Sequence, residues 1–424
     1  MTVPCIQCQI VFEITDEDLE FYEKISPIFA GKKHLIPPPR LCPICRHQRR
    51  LAFRNERKLY TRKSDMSGKS MITIYSPDKP YKVYDQDEWW SDNWDSLEYG
   101  RDFDFTRNFA EQFRELYEEV PRVSLHTIGN ENSYYSCYTL YLKNCYLLFG
   151  ASYNEDCKFL HNSPKSVCSY DGVYTAPDGL QFCYNACSTV GSNLIATYFV
   201  WYCDRAYYSM DCLNCTNIFG CVGLRNKHYC IFNKQYSREE YEVLAGKIVE
   251  HMQSGHGCDG DGMRWGEFFP YNLAPCCYNE TVAAEYFPLE KERALALGAM
   301  WHEEENSDGG SQIAGGATGE VLQNEVSCDI RQVGDDILEK QLLCEKSGKK
   351  YKITAPELKF YRRMKLPIPR KCPDIRHYDR LELHNAYRVF DRQCAKCGVS
   401  MKSVYGHERS EIVYCEKCYL AEVY

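Results

Sequence analysis

The chain has 424 residues, of which 44% are hydrophobic and 26% charged, a composition typical of a soluble protein with roughly two to four globular domains. Its net charge of −8 at pH 7 is too small to indicate, by itself, a polyanion binder or a protein with an acidic tail. No run of residues approaches the roughly 18 apolar residues that a membrane span needs, so we expect no membrane protein.

The cysteine content bears on the cellular compartment. A total of 25 cysteines would indicate a disulfide scaffold in a small secreted chain. The first residues, from Met1 to Cys5, have neither the basic nor the apolar region of a signal peptide. The odd cysteine count argues against complete pairing, and metal-binding thiolates must be reduced. We therefore predict a cytoplasmic protein.

A module occurs twice, in residues 1–95 and 324–424. Three spacings are identical in the two copies: 14 residues from Cys5 to Leu19 and from Cys344 to Leu358, 22 from Cys42 to Ser64 and from Cys372 to Cys394, and 21 from Ser64 to Asp85 and from Cys394 to Cys415. The only change in length is nine extra residues before Cys42. Chance does not preserve three spacings, so the pattern indicates a duplication.

Each copy has places for two four-cysteine metal sites and retains one. The complete sets are Cys5, Cys8, Cys42 and Cys45 in the first copy and Cys394, Cys397, Cys415 and Cys418 in the second. The lost sets read Ser64, Ser67, Asp85 and Glu88, and Cys344, Ser347, Cys372 and Ile375. Two CxxC pairs close a tetrahedron around one zinc, so we predict two structural Zn²⁺ ions per chain, each in a zinc-ribbon or treble-clef module. The alternative, reduced cysteines buried as small apolar residues, does not explain the paired spacing.

A helix is predicted from Cys45 to about Tyr60, and its basic residues fall at spacings that place them on one side: Arg46, Arg50, Arg54, Arg57 and Lys58. Such a row predicts a phosphate-binding face. The alternative is a solvated basic helix that pairs with the acidic stretch at residues 85–104. In the second copy the basic residues lie further upstream, at Lys359, Arg362, Arg363, Lys365, Arg370 and Lys371.

Other elements of the first half follow from local patterns. Thr15 precedes an acidic turn and is expected to cap a helix that ends near Ile25. Residues 71–83 predict a hairpin with its turn at residues 76–78. Residues 96–123 predict a helical connector, with the helix itself at residues 105–119.

The middle of the chain, residues 124–235, is rich in cysteine and tyrosine. Its cysteines are Cys137, Cys145, Cys157, Cys168, Cys183, Cys187, Cys203, Cys212, Cys215, Cys221 and Cys230. From Cys203 to Cys230 four of them are spaced by nine residues. Short β-prone repeats with polar turns predict a β-solenoid, with two repeats making one coil of about twenty residues. The thiols would then stack as an internal ladder; metal binding by Cys212 and Cys215 is the alternative.

Residues 236–304 predict a helical segment, with helices at 236–253 and 289–297 and a loop at 255–262. Residues 305–323, rich in Gly, Ser and Ala, predict a flexible linker. The predicted fold class is therefore α+β and multidomain, with duplicated zinc-ribbon or treble-clef modules flanking a central β-solenoid.

Four strings resemble a family of cysteine-rich zinc-ribbon proteins that is widespread in candidate-phyla bacteria with reduced genomes. They are Cys42-Pro43-Ile44-Cys45-Arg46-His47, Ile74-Tyr75-Ser76-Pro77-Asp78-Lys79-Pro80-Tyr81, Tyr278-Asn279-Glu280-Thr281 and Ile412-Val413-Tyr414-Cys415-Glu416-Lys417-Cys418. The resemblance covers nearly the whole chain and implies the architecture and the zinc, but no activity. The family usually has cysteines at the positions of Ser64, Ser67, Asp85 and Glu88, so the resemblance implies that this site has been lost.

Three functional hypotheses remain open. The first is a zinc-stabilised, non-enzymatic protein that binds nucleic acid, RNA or DNA, through the basic helix. The second is a scaffold whose solenoid binds a protein partner. The third is an enzyme on a β-helix; because the sequence contains no nucleophile elbow, P-loop, HExxH or GxGxxG before a helix, we do not expect an enzyme.

Overall fold

The computed structural model describes residues 1–128, 180–254, 263–303, 326–383 and 389–423, with short pieces between residues 130 and 173 and at 319–321. The chain divides into two compact units, Met1–Glu303 and Glu304–Tyr424. The segments predicted at 1–95, 96–123, 124–235 and 236–304 therefore lie almost wholly in the first unit. The predicted loop at 255–262 and most of the linker at 305–323 lie outside the described residues. None of the helices described is long and apolar enough to cross a membrane.

The first copy of the module begins with an antiparallel hairpin of β1 (Thr2–Pro4) and β2 (Val11–Glu13). Helix α1 (Asp16–Ile25) follows, and its N-cap Thr15 forms the predicted cap, a capping box with Asp18. The remaining elements are β3 (Ile28–Phe29), β4 (Lys32–Lys33), α2 (Pro43–Leu51), β5 (Tyr60–Lys63), β6 (Ser70–Thr73), β7 (Val83–Tyr84) and α3 (Gln86–Trp90).

Helix α2 is much shorter than predicted, since it ends at Leu51 instead of near Tyr60. The side chain of Asn55 accounts for the early end. It accepts from the backbone N–H of Lys58 at 3.0 Å and donates to the carbonyls of Lys58 and Ile74 at 2.8 and 2.9 Å. A side chain that bonds nearby backbone in this way offers the chain an alternative to continuing the helix.

The hairpin predicted at residues 71–83 is also wrong, because β6 pairs with β5 instead. The turn between these strands keeps the form of a metal-binding knuckle. The Ser64 N–H donates to Lys69 O and the Gly68 N–H to Ser64 O, both at 2.8 Å, with Gly68 at a φ of +74° that favours glycine. The backbone therefore keeps the knuckle conformation although the metal ligands have been lost.

Helix α4 (Phe109–Glu119) begins at the N-cap Asn108, slightly later than predicted, and β8 (Arg122–Val123) pairs in parallel with β7. The strands of the middle segment are β9 (Thr127–Ile128), β10 (Thr139–Leu140), β11 (Tyr170–Val173), β12 (Leu180–Gln181), β13 (Tyr184–Cys187), β14 (Val190–Ser192), β15 (Ile195–Tyr207), β16 (Met210–Leu213), β17 (Thr216–Phe219), β18 (His228–Ile231) and β19 (Lys234–Gln235). All pairings among β9–β18 are parallel.

Residues 184–231 form a β-solenoid of about four turns, as predicted, but its coils are not those predicted. Neighbouring coils pair residues 11 apart at the first coil, as Tyr184 with Ile195, and 12 apart from Tyr198 onward, as Val200 with Cys212, so a coil of twenty residues is wrong. Every third residue has a left-handed φ, from 48° to 54° at Tyr202, Arg205, Tyr208, Asp211 and Asn214. Each coil thus has corners at every third residue, and the residue after a corner is buried inside the coil, with Lys227, which follows Asn226, as an exception.

The interior cysteines follow this geometry. A spacing of nine residues is three sides of a coil, so the thiols from Cys203 to Cys230 descend as a spiral instead of stacking in one column. The first three lie near the carbonyl oxygen nine residues later: Cys203 at 3.9 Å from Cys212 O, Cys212 at 3.7 Å from Cys221 O and Cys221 at 3.4 Å from Cys230 O, whereas Cys230 donates to His228 O at 3.4 Å. Burial raises the pKa of the Cys212 and Cys221 thiols well above the ordinary value. The thiols are therefore inside the solenoid, as predicted, but they form a spiral and not the predicted ladder.

Aromatic side chains pack against the outside of the solenoid and join it to the hydrophobic core of the first unit. Phe53 contacts Tyr198 with ring centroids 5.8 Å apart, and Phe109 contacts Tyr208 at 5.4 Å. The nine extra residues of the first copy include the hairpin of β3 and β4, which places Phe29 against Tyr207 at 5.5 Å. Helices α5 (Arg238–Gln253) and α7 (Lys291–Ala296) lie close to the predicted helical positions, whereas the short helix α6 (Val282–Tyr286) was not predicted.

The second unit contains a three-stranded sheet of β20 (Gly319–Val321), β21 (Lys340–Leu343) and β22 (Lys350–Tyr351). Its other elements are α8 (Ala355–Met364), α9 (Pro373–Leu381), β23 (Phe390–Gln393), β24 (Ser400–Ser403) and α10 (Glu416–Val423). Both ends of α9 lie 330 residues after those of α2, and β23 and β24 lie 330 after β5 and β6. Most elements of the two copies thus correspond, as the duplicated spacings predict. Those without a counterpart are β3, β4 and β7 in the first copy and β20 in the second.

Candidate metal centres

The first centre joins a hairpin turn to the beginning of a helix. Cys5 and Cys8 lie in the turn between β1 and β2, which is closed by bonds from the Cys5 N–H to Ile10 O at 3.0 Å and from the Gln9 N–H to Cys5 O at 2.9 Å. Cys42 is the N-cap of α2, and Cys45 lies in its first turn. The helix dipole and free N–H groups at this end favour thiolates.

The sulfur atoms of the first centre fit a tetrahedral metal. The four Sγ atoms all lie within 4.8 Å of one another, and those of Cys8 and Cys42 are 3.8 Å apart. Ligands at a zinc–sulfur distance of about 2.3 Å in a tetrahedron are about 3.8 Å from each other. Four soft sulfur donors with no place for a fifth ligand form a closed, structural type of site.

Backbone amides and close packing of sulfur control the charge of this centre. The N–H of Cys42 points to the Sγ of Cys5 at 3.3 Å, and that of Cys45 to the Sγ of Cys42 at 3.5 Å. A hydrogen bond from the Cys45 thiol lowers the pKa of Cys42 to about 5, whereas the same contact and burial raise the pKa of Cys45. Four thiolates this close would repel one another, so a bound cation would be needed for all four thiols to lose their protons.

A second layer of contacts ties the first centre to the rest of its unit. The side-chain amide of Gln7, between the two knuckle cysteines, donates to Gln48 at 2.9 Å and to the hydroxyl of Tyr271 at 3.4 Å. Gln48 in turn donates to the hydroxyl of Tyr278 at 2.8 Å. Cys5, Cys42 and Cys45 are buried, so the centre is enclosed.

The second centre has the same construction with less cover. Cys394 and Cys397 lie in the turn between β23 and β24, and Cys415 and Cys418 lie at the beginning of α10. All four sulfurs lie within 4.8 Å, and those of Cys397 and Cys415 are 3.7 Å apart. Burial opposes ionisation of Cys394, but backbone amides, among them that of Cys397, lower its pKa to about 6. Only Cys394 of the four is buried, and Cys397 is exposed.

The lost sites contain hydrogen bonds where the intact sites have thiolates. In the first copy the Ser64 hydroxyl donates to the Glu88 carboxylate, which also accepts the N–H of Asp85 at 3.3 Å. The bond from Ser64 holds the pKa of Glu88 below its usual value. In the second copy the hydroxyl of Ser347 lies 3.9 Å from the Sγ of Cys372.

The predicted basic row does not exist as an exposed helix face. Arg50 and Arg54 are only 2% and 1% exposed, and Arg54, Arg57 and Lys58 lie beyond the end of α2. Arg50 donates to Asn185 at 2.8 Å; Arg54 forms an ion pair with Glu56 and donates to Ser188 at 2.5 Å. Arg46, half-buried, donates to the Tyr184 hydroxyl at 3.4 Å. These guanidinium groups therefore bind α2 and the following turn to the solenoid.

The alternative prediction, that the acidic stretch at residues 85–104 pairs with the basic row, is also wrong. Asp95 pairs with Lys227 at 3.2 Å and Asp102 with Lys234 at 2.7 Å, both at the last coil of the solenoid. The sequence offers no signal for these contacts, because the partners are more than a hundred residues apart.

The two four-cysteine centres are the groups of three or more potential metal ligands in the part of the chain that the structure describes. Cys212 and Cys215 belong to neither, which leaves them as interior residues of the solenoid. Comparison with protein-family models, curated proteins and solved structures finds no match to this chain in any of the three.

Proposed function

We propose that this chain is a zinc-stabilised, non-enzymatic nucleic-acid-binding protein of the cytoplasm, with RNA as its partner. The contact surface is the basic surface of the second module, not helix α2. Zinc is the metal because both centres offer four cysteine sulfurs in a closed tetrahedral arrangement, the donor set of structural zinc in treble-clef and zinc-ribbon modules.

One observation carries the proposal. Residues 346–371 contain ten Lys or Arg and a single acid, Glu357, in a chain whose net charge is −8. Glu357 is buried and accepts from Arg376 at 3.1 Å, so it does not neutralise the surface. The exposed members are Lys346, Lys349, Lys359, Arg362, Arg363, Lys365 and Arg370. A cluster of this density on folded elements attracts phosphate groups.

The cationic groups differ in how far the protein itself neutralises them. Lys346 and Lys371 share Asp379 at 3.2 and 2.7 Å. Across the described residues, no carboxylate forms an ion pair with the exposed side chains of Lys359 and Arg363 in α8 or of Lys365, its C-cap. Lys359 and Arg363 are one helical turn apart and so share a side of the helix. The positive charge of these three residues is therefore the least neutralised on this surface, and we expect them to contribute most to binding a polyanion.

The scaffold hypothesis would place a protein partner on the exposed side of the solenoid. One side of the solenoid is open, with Tyr202 40% exposed. Along this side Arg205 donates to Asn217 at 2.8 Å and Asn214 to Asn226 at 2.7 Å. Because these polar groups already bond to one another between coils, the face offers a protein partner less than the basic surface offers a polyanion.

Charge reversal of Lys359, Arg363 and Lys365 to Glu tests the proposal in the full-length, zinc-loaded chain. A control reverses Lys63, Lys69 and Lys247, which are exposed elsewhere and give the same change in net charge. Affinity for a single-stranded RNA is measured by fluorescence anisotropy over a salt series. Each phosphate contact contributes about 0.7 to the slope of log affinity against log salt, so the triple variant should lose about 2 from that slope.

The control variant should keep most of the slope, and both variants should retain their zinc. The proposed contacts are to phosphate groups and not to bases, so binding should depend only weakly on the RNA sequence. The proposal fails if the wild-type chain binds no RNA at low salt, if it binds DNA but not RNA, or if the two triple variants behave alike.

A further inference from the structure

Two segments far apart in the sequence meet at a buried lysine–cysteine contact. Lys79 is the last residue of the turn at residues 76–79, and Cys277 precedes the short helical turn Tyr278–Glu280. The Nζ of Lys79 lies 2.9 Å from the Sγ of Cys277. The side chain of Lys79 is only 7% exposed, and Cys277 is fully buried. A buried amine in contact with a thiol is a reactive pair that neither the metal centres nor the basic surface uses.

Both partners are held in place by bonds to their own backbone. The Lys79 N–H donates to Ser76 O at 3.1 Å, and the Lys79 carbonyl accepts from Arg62 at 3.3 Å. On the other side the Cys277 N–H donates to the Glu280 carboxylate at 2.7 Å, and that carboxylate also accepts from the hydroxyl of Tyr60 at 2.5 Å. The amine and the thiol are therefore kept in contact by a fixed frame.

The electrostatics of the pair favour protons on both groups in the resting state. Burial raises the pKa of Cys277 to about 11, although the Lys79 ammonium opposes this. Burial lowers the pKa of Lys79, but the Cys277 sulfur, Glu280 and Asp78 outweigh it and raise the pKa above its ordinary value. Asp78, which is 3.3 Å from the Lys79 Nζ and largely exposed, marks the edge where small molecules can approach.

We propose that Lys79 and Cys277 form a covalent N–O–S bridge under oxidising conditions, making this contact a modification site. The oxidant is dioxygen. The ammonium first loses its proton to solvent, then the neutral amine, the thiol and dioxygen give Lys–NH–O–S–Cys and water. One N–H, the S–H and the O–O bonds break; the N–O and O–S bonds of the bridge and the two O–H bonds of water form. Nitrogen and sulfur each lose two electrons, which reduce dioxygen; one oxygen atom becomes the bridge and the other leaves in water.

The observed distance favours an inserted oxygen atom. A direct N–S bond would require the two atoms to approach far closer than 2.9 Å, against the frame that holds both backbones. An oxygen atom between them spans a separation close to the one present. The neighbouring Cys276 has no such geometry, because its thiol is directed to the carbonyl of Ile74 at 3.5 Å. Cys276 therefore supplies a matched control.

The bridge would join the segment after β6 to the segment before α6. Cross-linking residues 79 and 277 encloses most of the first unit in one loop, which removes conformational freedom from the unfolded chain. The bridged protein should therefore melt at a higher temperature than the reduced protein, and a thiol reductant should reverse the shift.

Mass spectrometry of the full-length, zinc-loaded chain tests the proposal. Protein exposed to dioxygen, and protein kept anaerobic with a reductant, are digested without reduction. The expected product is a linked peptide pair with the summed mass of the two peptides plus one oxygen and minus two hydrogens. It should form in the Cys276→Ser variant and be absent from Lys79→Arg and Cys277→Ser.

The zinc content is measured in parallel, so that loss of a metal centre is not mistaken for the effect. Oxidation of Cys277 to a sulfinic acid without linkage, a linked pair lacking the extra oxygen, or no modification at all would each overturn the proposal. A bridge that also forms in Lys79→Arg would overturn it as well, because the guanidinium is not the amine that the reaction needs.

Discussion

Replacing Arg54 by Ala separates the structural role of this residue from the phosphate-binding role that its position in the sequence indicates. The side chains of Arg54 and Glu56 are each only 1% exposed, and they form an ion pair. Arg54 also donates to Ser188 in the solenoid at 2.5 Å. The substitution leaves the Glu56 carboxylate buried without this guanidinium. Removing one partner of a buried ion pair lowers the free energy of unfolding by about 3–5 kcal/mol.

Tryptophan fluorescence of the full chain reports this loss of stability for the first unit only, because all six tryptophans lie before residue 304. Urea unfolding followed by tryptophan fluorescence should show the loss, and the melting temperature should fall by roughly 6–10 °C, at about 2 °C per kcal/mol for a unit of this size. The matched control is Lys63→Ala, an exposed residue whose replacement should change stability by no more than about 0.5 kcal/mol.

The double variant Arg54→Met with Glu56→Leu should recover much of the loss, because removing both charges avoids an unpaired one. RNA affinity of Arg54→Ala, measured at a temperature where the variant is folded, should equal that of the wild type. A loss of stability below about 1 kcal/mol, joined with weaker RNA binding, would refute the assignment of Arg54 to the interior.

Three further predictions follow from the metal centres and the solenoid. A chelator should remove the metal of the second centre first, because Cys397 is exposed whereas the first centre is enclosed; a Cys397→Ser variant that leaves the fast phase unchanged would contradict this. Restoring cysteine at Ser64, Ser67, Asp85 and Glu88 together should raise the metal content from two to three per chain, whereas restoring only the first pair should not. Cys212 should resist a maleimide that labels the exposed Cys328, and Cys212→Asp should prevent folding of its coil; rapid native labelling of Cys212 would show that the interior assignment is wrong.

The parts of the fold that were predictable have local causes. The capping box at Thr15 and the paired CxxC spacings are set by contacts within a few residues or by one metal, so the sequence carries them directly. The constant spacing between the two copies also indicated the shared elements, from α1 and α8 to β6 and β24.

The parts that were not predictable depend on partners distant in the chain. Arg50 and Arg54 are buried because Asn185 and Ser188 of the solenoid receive them, and no local pattern reveals these partners. The coil length was missed for a different reason. The nine-residue spacing of the cysteines reports three sides of a coil and drew attention from the corners. From Asp211 to Asn226 every third residue is Asp, Asn or Gly, the types that most readily adopt a left-handed φ, whereas the earlier corners include Tyr202 and Arg205, which interrupt this signal.

The metal content of purified protein tests the central claim most directly. Elemental analysis after anaerobic preparation should give two zinc ions per chain, and Cys5→Ser should reduce this to one while the second unit keeps its metal. The two centres account for this number, since each provides four sulfurs spaced for one tetrahedral ion. A content near zero, or one of three or more ions per chain, would contradict the account.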